Sequence, residues 1–167
     1  MSVKPGWRGR VFEDFEVGDV YEHPLGRTIG QADNVWLTLL TLNSNPIHFD
    51  AALAARTEFG RPLVDSTVTL ALVTGLSVSD VSQNGVNLGW DKVRLPHPVF
   101  EGDTLYARSE VLEARPSRSR PHMGIVRVRT TGRNQDGDVV IEFERSIMVY
   151  RRGHAPTGPV AATPAGG

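Results

Sequence analysis

The chain has 167 residues, and its 18 Lys and Arg against 19 Asp and Glu give a formal net charge of -1. Such a chain can bury the core of one domain, and it lacks the bulk positive charge that would hold nucleic acid or an anionic membrane. The absence of cysteine excludes a disulfide framework and a cysteine nucleophile. The polar start MSVKPGWRGR does not resemble a signal peptide, and no apolar run reaches the ~20 residues of a membrane span. We therefore expect a cytoplasmic protein with no nucleic-acid or membrane partner.

Both ends of the chain are predicted to lie outside the folded domain. Apart from His154, the tail consists of small residues, proline and glycine, which cannot bury enough apolar surface to offset their ordering entropy. We predict a flexible arm over residues 1–10, a single domain over residues 11–152 and a disordered tail over residues 153–167.

Three helices are predicted in the first half of the chain. The run QADNVWLTLLTL has apolar residues at three- and four-residue spacing, and Thr28 with Gln31 has the spacing of a capping box. A short helix should follow Asp50, and a longer one should start at Asp65 and Ser66. The β-branched residues of this third stretch would also permit a strand, but its length and all-round apolar character favour a buried helix.

Strands are predicted after Asn84. The stretches GVNLGWDKVRL, DTLYARSEVLEA, GIVRVRTTGR and DVVIEFERSIMVYRR alternate in polarity and are rich in β-branched residues. NQDG at positions 134–137 predicts a hairpin turn, and a short strand around Val20 and Tyr21 should join the sheet. The predicted fold is α+β, with an antiparallel meander packed on the buried helix.

The stretch NSNPIHFD, which runs from Asn43 to Asp50, is either a turn or part of a site. A histidine in a polar loop often only hydrogen-bonds to the backbone, and His48 would then have no chemical role. Asn45 precedes Pro46 and can close an Asx-type turn in both interpretations.

NPIH between two predicted helices, FGRPLV before the apolar helix and PHPVFEGDTLYARSEV at the start of the strands resemble the MaoC-like dehydratase family. This family includes the (R)-specific enoyl-CoA hydratases. The stretches LNSNPIHFD, TEFGRPLV and NLGWDKVRLPHPVFEGDTL, together with VLEARPSRSRP, are most similar to its mesaconyl-CoA hydratase, or methylmalyl-CoA dehydratase, subgroup. The resemblance implies a hot-dog fold, in which an antiparallel sheet wraps a central apolar helix. It also implies an acyl-CoA substrate, no further cofactor, and a homodimer or higher homo-oligomer with sites at the interface.

The resemblance places the family's catalytic histidine at His48 and its motif asparagine at Asn45, but the family's aspartate is Asn43 here. Hydration of an unsaturated thioester needs a base for water and an acid for the α-carbon. We therefore expect His48 to act as acid and base and Asn43 to position water. An aspartate at position 43 would restore the family's usual carboxylate and be tolerated if only a hydrogen bond is needed there. If the Asn43 amide donates to a carboxylate of the substrate, aspartate would repel the substrate and abolish activity.

The start of the apolar helix is expected to supply the other half of the site. The resemblance implies that the backbone amide of Ser66 donates to the thioester carbonyl, helped by the helix dipole. Asp65 is either the N-cap of this helix or a carboxylate that replaces the missing acid.

Four arginines are candidates for substrate binding. Arg61 could pair with a free carboxylate of the acyl group, while Arg115, Arg118 and Arg120 could pair with the phosphates of coenzyme A; solvated loops are the alternative for both. The remaining histidines lack the spacing of metal ligands, so no metal is expected.

Three functions stay open at this point. The first is a hydratase or dehydratase acting on a short branched or dicarboxylic acyl-CoA, of the mesaconyl-CoA or methylmalyl-CoA type. The second is a hot-dog acyl-CoA thioesterase, for which the NPIH loop would be superfluous. The third is a non-catalytic acyl-CoA-binding accessory subunit.

Overall fold

A computed structural model of the protein describes residue 4 and residues 6–156. The rest of the predicted tail, residues 157–167, and most of the first five residues lie outside the described part. The helices are α1 (Gln31–Leu40), α2 (Ala51–Ala54) and α3 (Ser66–Val81). The strands are β1 (Val20–Glu22), β2 (Arg27–Thr28), β3 (Gly85–Arg94), β4 (Thr104–Pro116), β5 (Met123–Arg133) and β6 (Val139–Tyr150).

The antiparallel sheet has the order β1-β4-β5-β6-β3, and β2 pairs with the start of β4. The predicted meander is therefore right for β4, β5 and β6 but wrong for β3, which pairs with β6 at the far edge. The sequence pattern identifies β3 as a strand but does not identify its partner. The connection after β3 crosses the sheet, so β4 lies next to β1, at the other end of the strand order. The predicted turn at Asn134 is confirmed: Gly137 N–H donates to the Asn134 carbonyl, and Gly137 has a φ of 87°.

Helix α3 packs against the inner face of the sheet, as the sequence predicts. Val68 and Val73 are fully buried in the main core cluster, and Leu70, Leu72 and Leu76 pack partly buried against it. Arg145 on β6 also faces this helix and donates to Ser77 Oγ at 3.0 Å; burial lowers the pKa of its guanidinium to about 10. The guanidinium therefore stays charged at neutral pH.

Helix α1 covers ten residues of the predicted run QADNVWLTLLTL, but it does not have the predicted cap. Its N-cap is Gly30, whose N–H donates to the Asp33 carboxylate at 2.8 Å, while Thr28 belongs to β2. The buried side chains of this helix are Asn34 and Thr38, and the apolar residues Trp36, Leu39 and Leu40 are exposed. The polar stripe of α1 therefore faces the protein interior.

Part of the predicted N-terminal arm contacts the domain. The Trp7 indole N–H donates to the Ser79 carbonyl at 3.0 Å, and Arg10 pairs with Asp80 near the end of α3. Residues 7–10 are therefore attached to α3, because their aromatic and cationic side chains find partners there.

Candidate active site

His48 lies at the end of a 3₁₀ turn, Pro46–His48, between α1 and α2. Its Nδ1 is 3.0 Å from the Leu63 carbonyl oxygen. A carbonyl only accepts hydrogen bonds, so Nδ1 carries the proton in this contact. Neutral His48 therefore has its free lone pair on Nε2. Its ring is half-buried, and the contact of Nδ1 with the Leu63 carbonyl fixes its orientation.

The turn that carries His48 is closed by amide side chains. Asn45 Oδ1 accepts from Ile47 N–H at 3.3 Å, and Asn45 N–H donates to Asn43 Oδ1 at 3.1 Å. Asn45 thus caps the turn, as the Asx-type pattern predicts, and its exposed side chain has no partner beyond this loop among the described residues.

Asn43 and Asp65 are in direct contact although 22 positions separate them. Asn43 Nδ2 donates to Asp65 Oδ2 at 2.5 Å. Asp65 Oδ1 accepts from both the N–H and the hydroxyl of Thr67, at 2.7 and 2.6 Å. Asp65 is therefore the N-cap of α3, and three of the roughly four acceptor positions of its carboxylate are occupied.

The carboxylate of Asp65 is held in its charged form. Burial opposes the charge, but hydrogen bonds from Thr67 and Asn43 and the nearby His48 outweigh it, so the pKa of Asp65 lies below its ordinary value. Asp65 is only 1% exposed, which leaves no open path from solvent to its oxygens. Ser66, the next residue, is exposed at the first position of α3, where a backbone N–H has no intrahelical acceptor.

One residue of the site has no counterpart in the sequence prediction. Asn34, on α1, is 0% exposed and contacts the backbone of both His48 and Asp65. The only signal in the sequence is an asparagine in a helix otherwise rich in leucine, and the apolar spacing of that helix points to the opposite face.

Arg61 lies near the site, at the approach to α3. Its guanidinium carbon is 3.9 Å from the centre of the Phe100 ring, and its side chain is exposed. Leu63 bridges to Phe100, which joins this segment to the one before β4. A cavity of about 300 Å³ opens alongside, lined by residues that include Ser66, Thr69 and His97.

The other three arginines are not brought to this site. Arg115 lies near the end of β4 and pairs with Glu113 at 2.8 Å, while Arg120 contacts Met148 Sδ at 3.5 Å. Arg118 lies in the exposed loop between them. Arg115 lies eleven positions along β4 from Thr104 at the Phe100 end, which amounts to roughly 35 Å of strand. Within one chain, these arginines therefore lie at the opposite end of β4 from the segment that contacts the His48 loop, and their expected pairing with the phosphates of coenzyme A stays a prediction.

The described residues hold no group of three or more His, Asp or Glu side chains arranged to bind a metal ion. His23, for example, is buried between Asp80 and Ser109, at 2.8 and 2.9 Å, away from the loop that carries His48. None of the helices in the described part of the chain combines the length and apolar character that a membrane span requires.

Comparison with known proteins places this arrangement in a family. A family model described as mesaconyl-CoA hydratase matches residues 4–165. The mesaconyl-CoA hydratase of Cereibacter sphaeroides is 35% identical over 163 residues, covering 93% of this chain and 46% of that protein. The solved structure of a putative MaoC domain protein dehydratase from Chloroflexus aurantiacus has a TM-score of 0.84 at 31% identity, covering 95% of this chain and 46% of that chain.

A conserved hypothetical protein from Mycobacterium tuberculosis, described as having a double hotdog fold, has a TM-score of 0.79 at 25% identity. The match covers 91% of this chain and 47% of that one, so the chain spans about half the length of each of these relatives. The predicted hot-dog fold is confirmed by these structures and by the sheet that wraps α3. The chain belongs to the mesaconyl-CoA hydratase family.

Proposed function

We propose that this protein is a hydro-lyase that adds or removes water across the α,β double bond of a short branched or dicarboxylic acyl-CoA, of the mesaconyl-CoA type. The observation that carries the proposal is the His48 contact. Nδ1 is tied to the Leu63 carbonyl, which leaves the Nε2 lone pair as a base, and His48 lies near enough to Asp65 at the start of α3 to help lower the pKa of its carboxylate. The 35% identity to a mesaconyl-CoA hydratase supports the substrate class.

In the hydration direction, His48 Nε2 takes a proton from water as the water oxygen bonds to the β-carbon. The π electrons of the double bond move toward the thioester and give an enolate. The imidazolium then returns a proton from Nε2 to the α-carbon, which restores neutral His48. One imidazole thus serves in both steps, and no cofactor beyond the coenzyme A of the substrate takes part.

Asn43 and Asp65 act as a pair in this proposal. The Asp65 carboxylate is closed to solvent, so it orients Asn43 rather than contacting water itself. One Nδ2 hydrogen of Asn43 is engaged by Asp65, and the other, which has no acceptor among the described residues, can hold water or an oxygen of the substrate. This assignment makes Asp65 a cap and a positioning residue in place of a catalytic acid.

The start of α3 stabilises the enolate. Ser66 is an exposed residue at the first position of a helix of 16 residues, where a backbone donor and the helix dipole favour negative charge on the thioester oxygen. The Ser66 side chain is not needed for this role.

The substrate carboxylate is assigned to Arg61. Its side chain is exposed, the neighbouring residues Phe59 and Leu63 line the cavity at Ser66, and stacking on Phe100 limits the motion of the guanidinium. A planar guanidinium recognises a carboxylate with two parallel hydrogen bonds. Arg61 would therefore favour dicarboxylic over monocarboxylic acyl groups.

We also propose that the site is completed in a homodimer or higher oligomer. Strand β3 forms an open edge of the sheet and exposes Val86, Leu88 and Trp90 at alternate positions. The relatives are about twice as long as this chain, and one of them is described as having a double hotdog fold. Both observations support a second hot-dog domain, supplied here by another copy of the chain. Because Arg115, Arg118 and Arg120 lie far from His48 in the same chain, they can meet the phosphates of this coenzyme A only from a second protomer.

The test is an assay of the purified chain against a panel of enoyl-CoA and hydroxyacyl-CoA esters, with thioester absorbance and free thiol followed together. Hydration of mesaconyl-CoA without thiol release is the expected result. Thiol release would indicate a thioesterase, and binding without turnover would indicate an accessory subunit.

The role of Arg61 is tested with the same panel. Arg61→Ala should raise KM for dicarboxylic esters more than it lowers kcat, and it should spare monocarboxylic esters. Equal losses on both ester classes would remove the support for a dicarboxylic substrate.

A further inference from the structure

Asn34 occupies an unusual position for an amide side chain. It is the fourth residue of α1, it is 0% exposed, and the apolar residues Trp36, Leu39 and Leu40 of the same helix are exposed instead. Burial of an amide is unfavourable unless its donors and acceptor are all paired, so its partners explain why it is inside.

The acceptor side of Asn34 contacts the start of α3. Its Oδ1 accepts from Asp65 N–H at 2.9 Å, and Thr38 Oγ1 on the next turn of α1 is 3.5 Å away. The backbone of Asp65, and with it the first turn that presents Ser66, is thereby fixed to α1.

The donor side of Asn34 contacts the loop that carries His48. Nδ2 lies 2.9 Å from the His48 carbonyl, 3.1 Å from the Leu63 carbonyl and 3.3 Å from Glu101 Oε1. The two Nδ2 hydrogens of Asn34 face three acceptors. The contact with Glu101, which is the longest, therefore shares a hydrogen with one of the two carbonyls. The Leu63 carbonyl is also the acceptor of His48 Nδ1–H.

These partners fix which way the amide is turned. Asp65 N–H can only donate, and the carbonyls of His48 and Leu63 can only accept, so the oxygen must face α3 and the nitrogen must face the loop. Aspartate has the same shape but offers no donor in its ionised form, and valine or leucine offers neither donor nor acceptor. The site therefore requires both halves of an amide at position 34.

We propose that Asn34 is a positioning residue for the hydratase reaction. It sets the orientation and tautomer of His48 through the shared Leu63 carbonyl, and it aligns the His48 loop with the start of α3. This assignment rests on the proposed function, so its test includes a measurement that does not depend on enzyme activity. The tautomer of His48 is such a readout.

The experiment compares Asn34→Asp with Thr130→Val and the unmodified chain. Thr130→Val is a control, because Thr130 on β5 is as fully buried as Asn34 and its hydroxyl contacts Ser109 Oγ at 2.9 Å rather than a group of the site. Measurements are kcat and KM for mesaconyl-CoA, the pH profile of kcat/KM, the midpoint of thermal unfolding, and the His48 tautomer from imidazole nitrogen NMR.

In the unmodified chain, NMR should find the Nδ1–H tautomer of His48. Asn34→Asp should lower kcat by up to about 100-fold with KM within a few-fold, shift the pH profile, and give mixed tautomers, as expected when a reacting group is displaced without loss of the binding surface. Thr130→Val should lower the thermal midpoint without changing kcat, the pH profile or the tautomer.

A folded Asn34→Asp protein with unchanged kcat and an unchanged Nδ1–H tautomer would overturn the assignment. If no ester is hydrated, the proposed function fails, and the tautomer comparison alone decides the role of Asn34. If Asn34→Asp does not fold, the unmodified chain still tests the geometry, because an Nε2–H tautomer there would contradict the shared Leu63 contact.

Discussion

At the residue scale, the carboxylate of Asp65 links the two halves of the site. It receives hydrogen bonds from Thr67 on its own helix and from Asn43 on the loop that carries His48. A hydrogen bond to a buried charged group stabilises a protein by roughly 1.5–3 kcal/mol, so the contact with Asn43 contributes to stability as well as to geometry.

The first prediction concerns the pair formed by positions 43 and 65. Asn43→Asp would place a second carboxylate against Asp65 Oδ2, and two carboxylates in contact cannot both stay ionised at neutral pH without repulsion. We expect lower stability and lower kcat. The double variant Asn43→Asp with Asp65→Asn restores one donor and one acceptor, so it should recover most of the stability in urea unfolding. Additive losses in this cycle would contradict the pairing.

The second prediction is a pH dependence of stability. The pKa of Asp65 is lower in the folded chain than in the unfolded chain, so its stabilisation is complete above the unfolded value of about 3.9 and is lost as pH falls through the folded value. In urea unfolding, the advantage of the unmodified chain over Asp65→Asn should be constant above about pH 5 and shrink below pH 4. Asp50→Asn, at the exposed N-cap of α2 with one hydrogen bond, is the control and should differ less. An advantage that persists undiminished at pH 3 would be contrary to this assignment.

The role of His48 could be predicted from the sequence, but the role of Asn34 could not. His48 lies in a short motif whose resemblance to a known family gives it a role. The role of Asn34 depends on a loop and a helix start that are 14 and 31 positions away, and no local pattern encodes these contacts.

At the scale of elements, α3 depends on close contact with the sheet. Val73 is fully buried, and a Cβ added at Gly132 on β5 would lie 2.7 Å from its Cγ2, so the helix and the strand approach closely here. The sequence predicts this helix well because it is apolar on nearly every side. It predicts α1 less well, since the apolar spacing there marks an exposed face.

The third prediction follows from this packing. Val73→Ala should lower the free energy of unfolding by about 2 kcal/mol, because a fully buried side chain loses two methyl groups and leaves a cavity. Val78→Ala on the same helix is the control: Val78 is 36% exposed, so its loss should change stability by less than about 0.5 kcal/mol. Both values come from urea unfolding at neutral pH. Equal effects at the two positions would mean that Val73 is not held in the core.

At the scale of the whole molecule, β3 forms an open edge of the sheet and exposes apolar side chains. Edge strands with unpaired backbone groups and exposed apolar side chains favour pairing with another chain. Sequence patterns predicted every long strand, but the order of strands in the sheet, and hence which edge is open, depends on contacts between distant segments.

The fourth prediction tests association at this edge. The chain should sediment as a dimer or larger, and Leu88→Glu should raise the dissociation constant at least about 10-fold, because burying an unpaired carboxylate opposes association. Val20→Glu, on the opposite edge strand β1 and 44% exposed, is the matched control and should leave association unchanged. A chain that sediments as a monomer at all concentrations would exclude this interface.

The central claim, that His48 performs the proton chemistry of hydration, is tested most directly by kcat for mesaconyl-CoA in His48→Ala. Loss of a positioned acid and base typically lowers a rate by about 10²- to 10⁴-fold, so kcat should fall by at least that range while KM and the unfolding midpoint stay nearly the same. His122→Ala, at an exposed histidine before β5, should keep full activity. Full hydratase activity in His48→Ala would contradict the account and leave NSNPIHFD as a turn without a catalytic role.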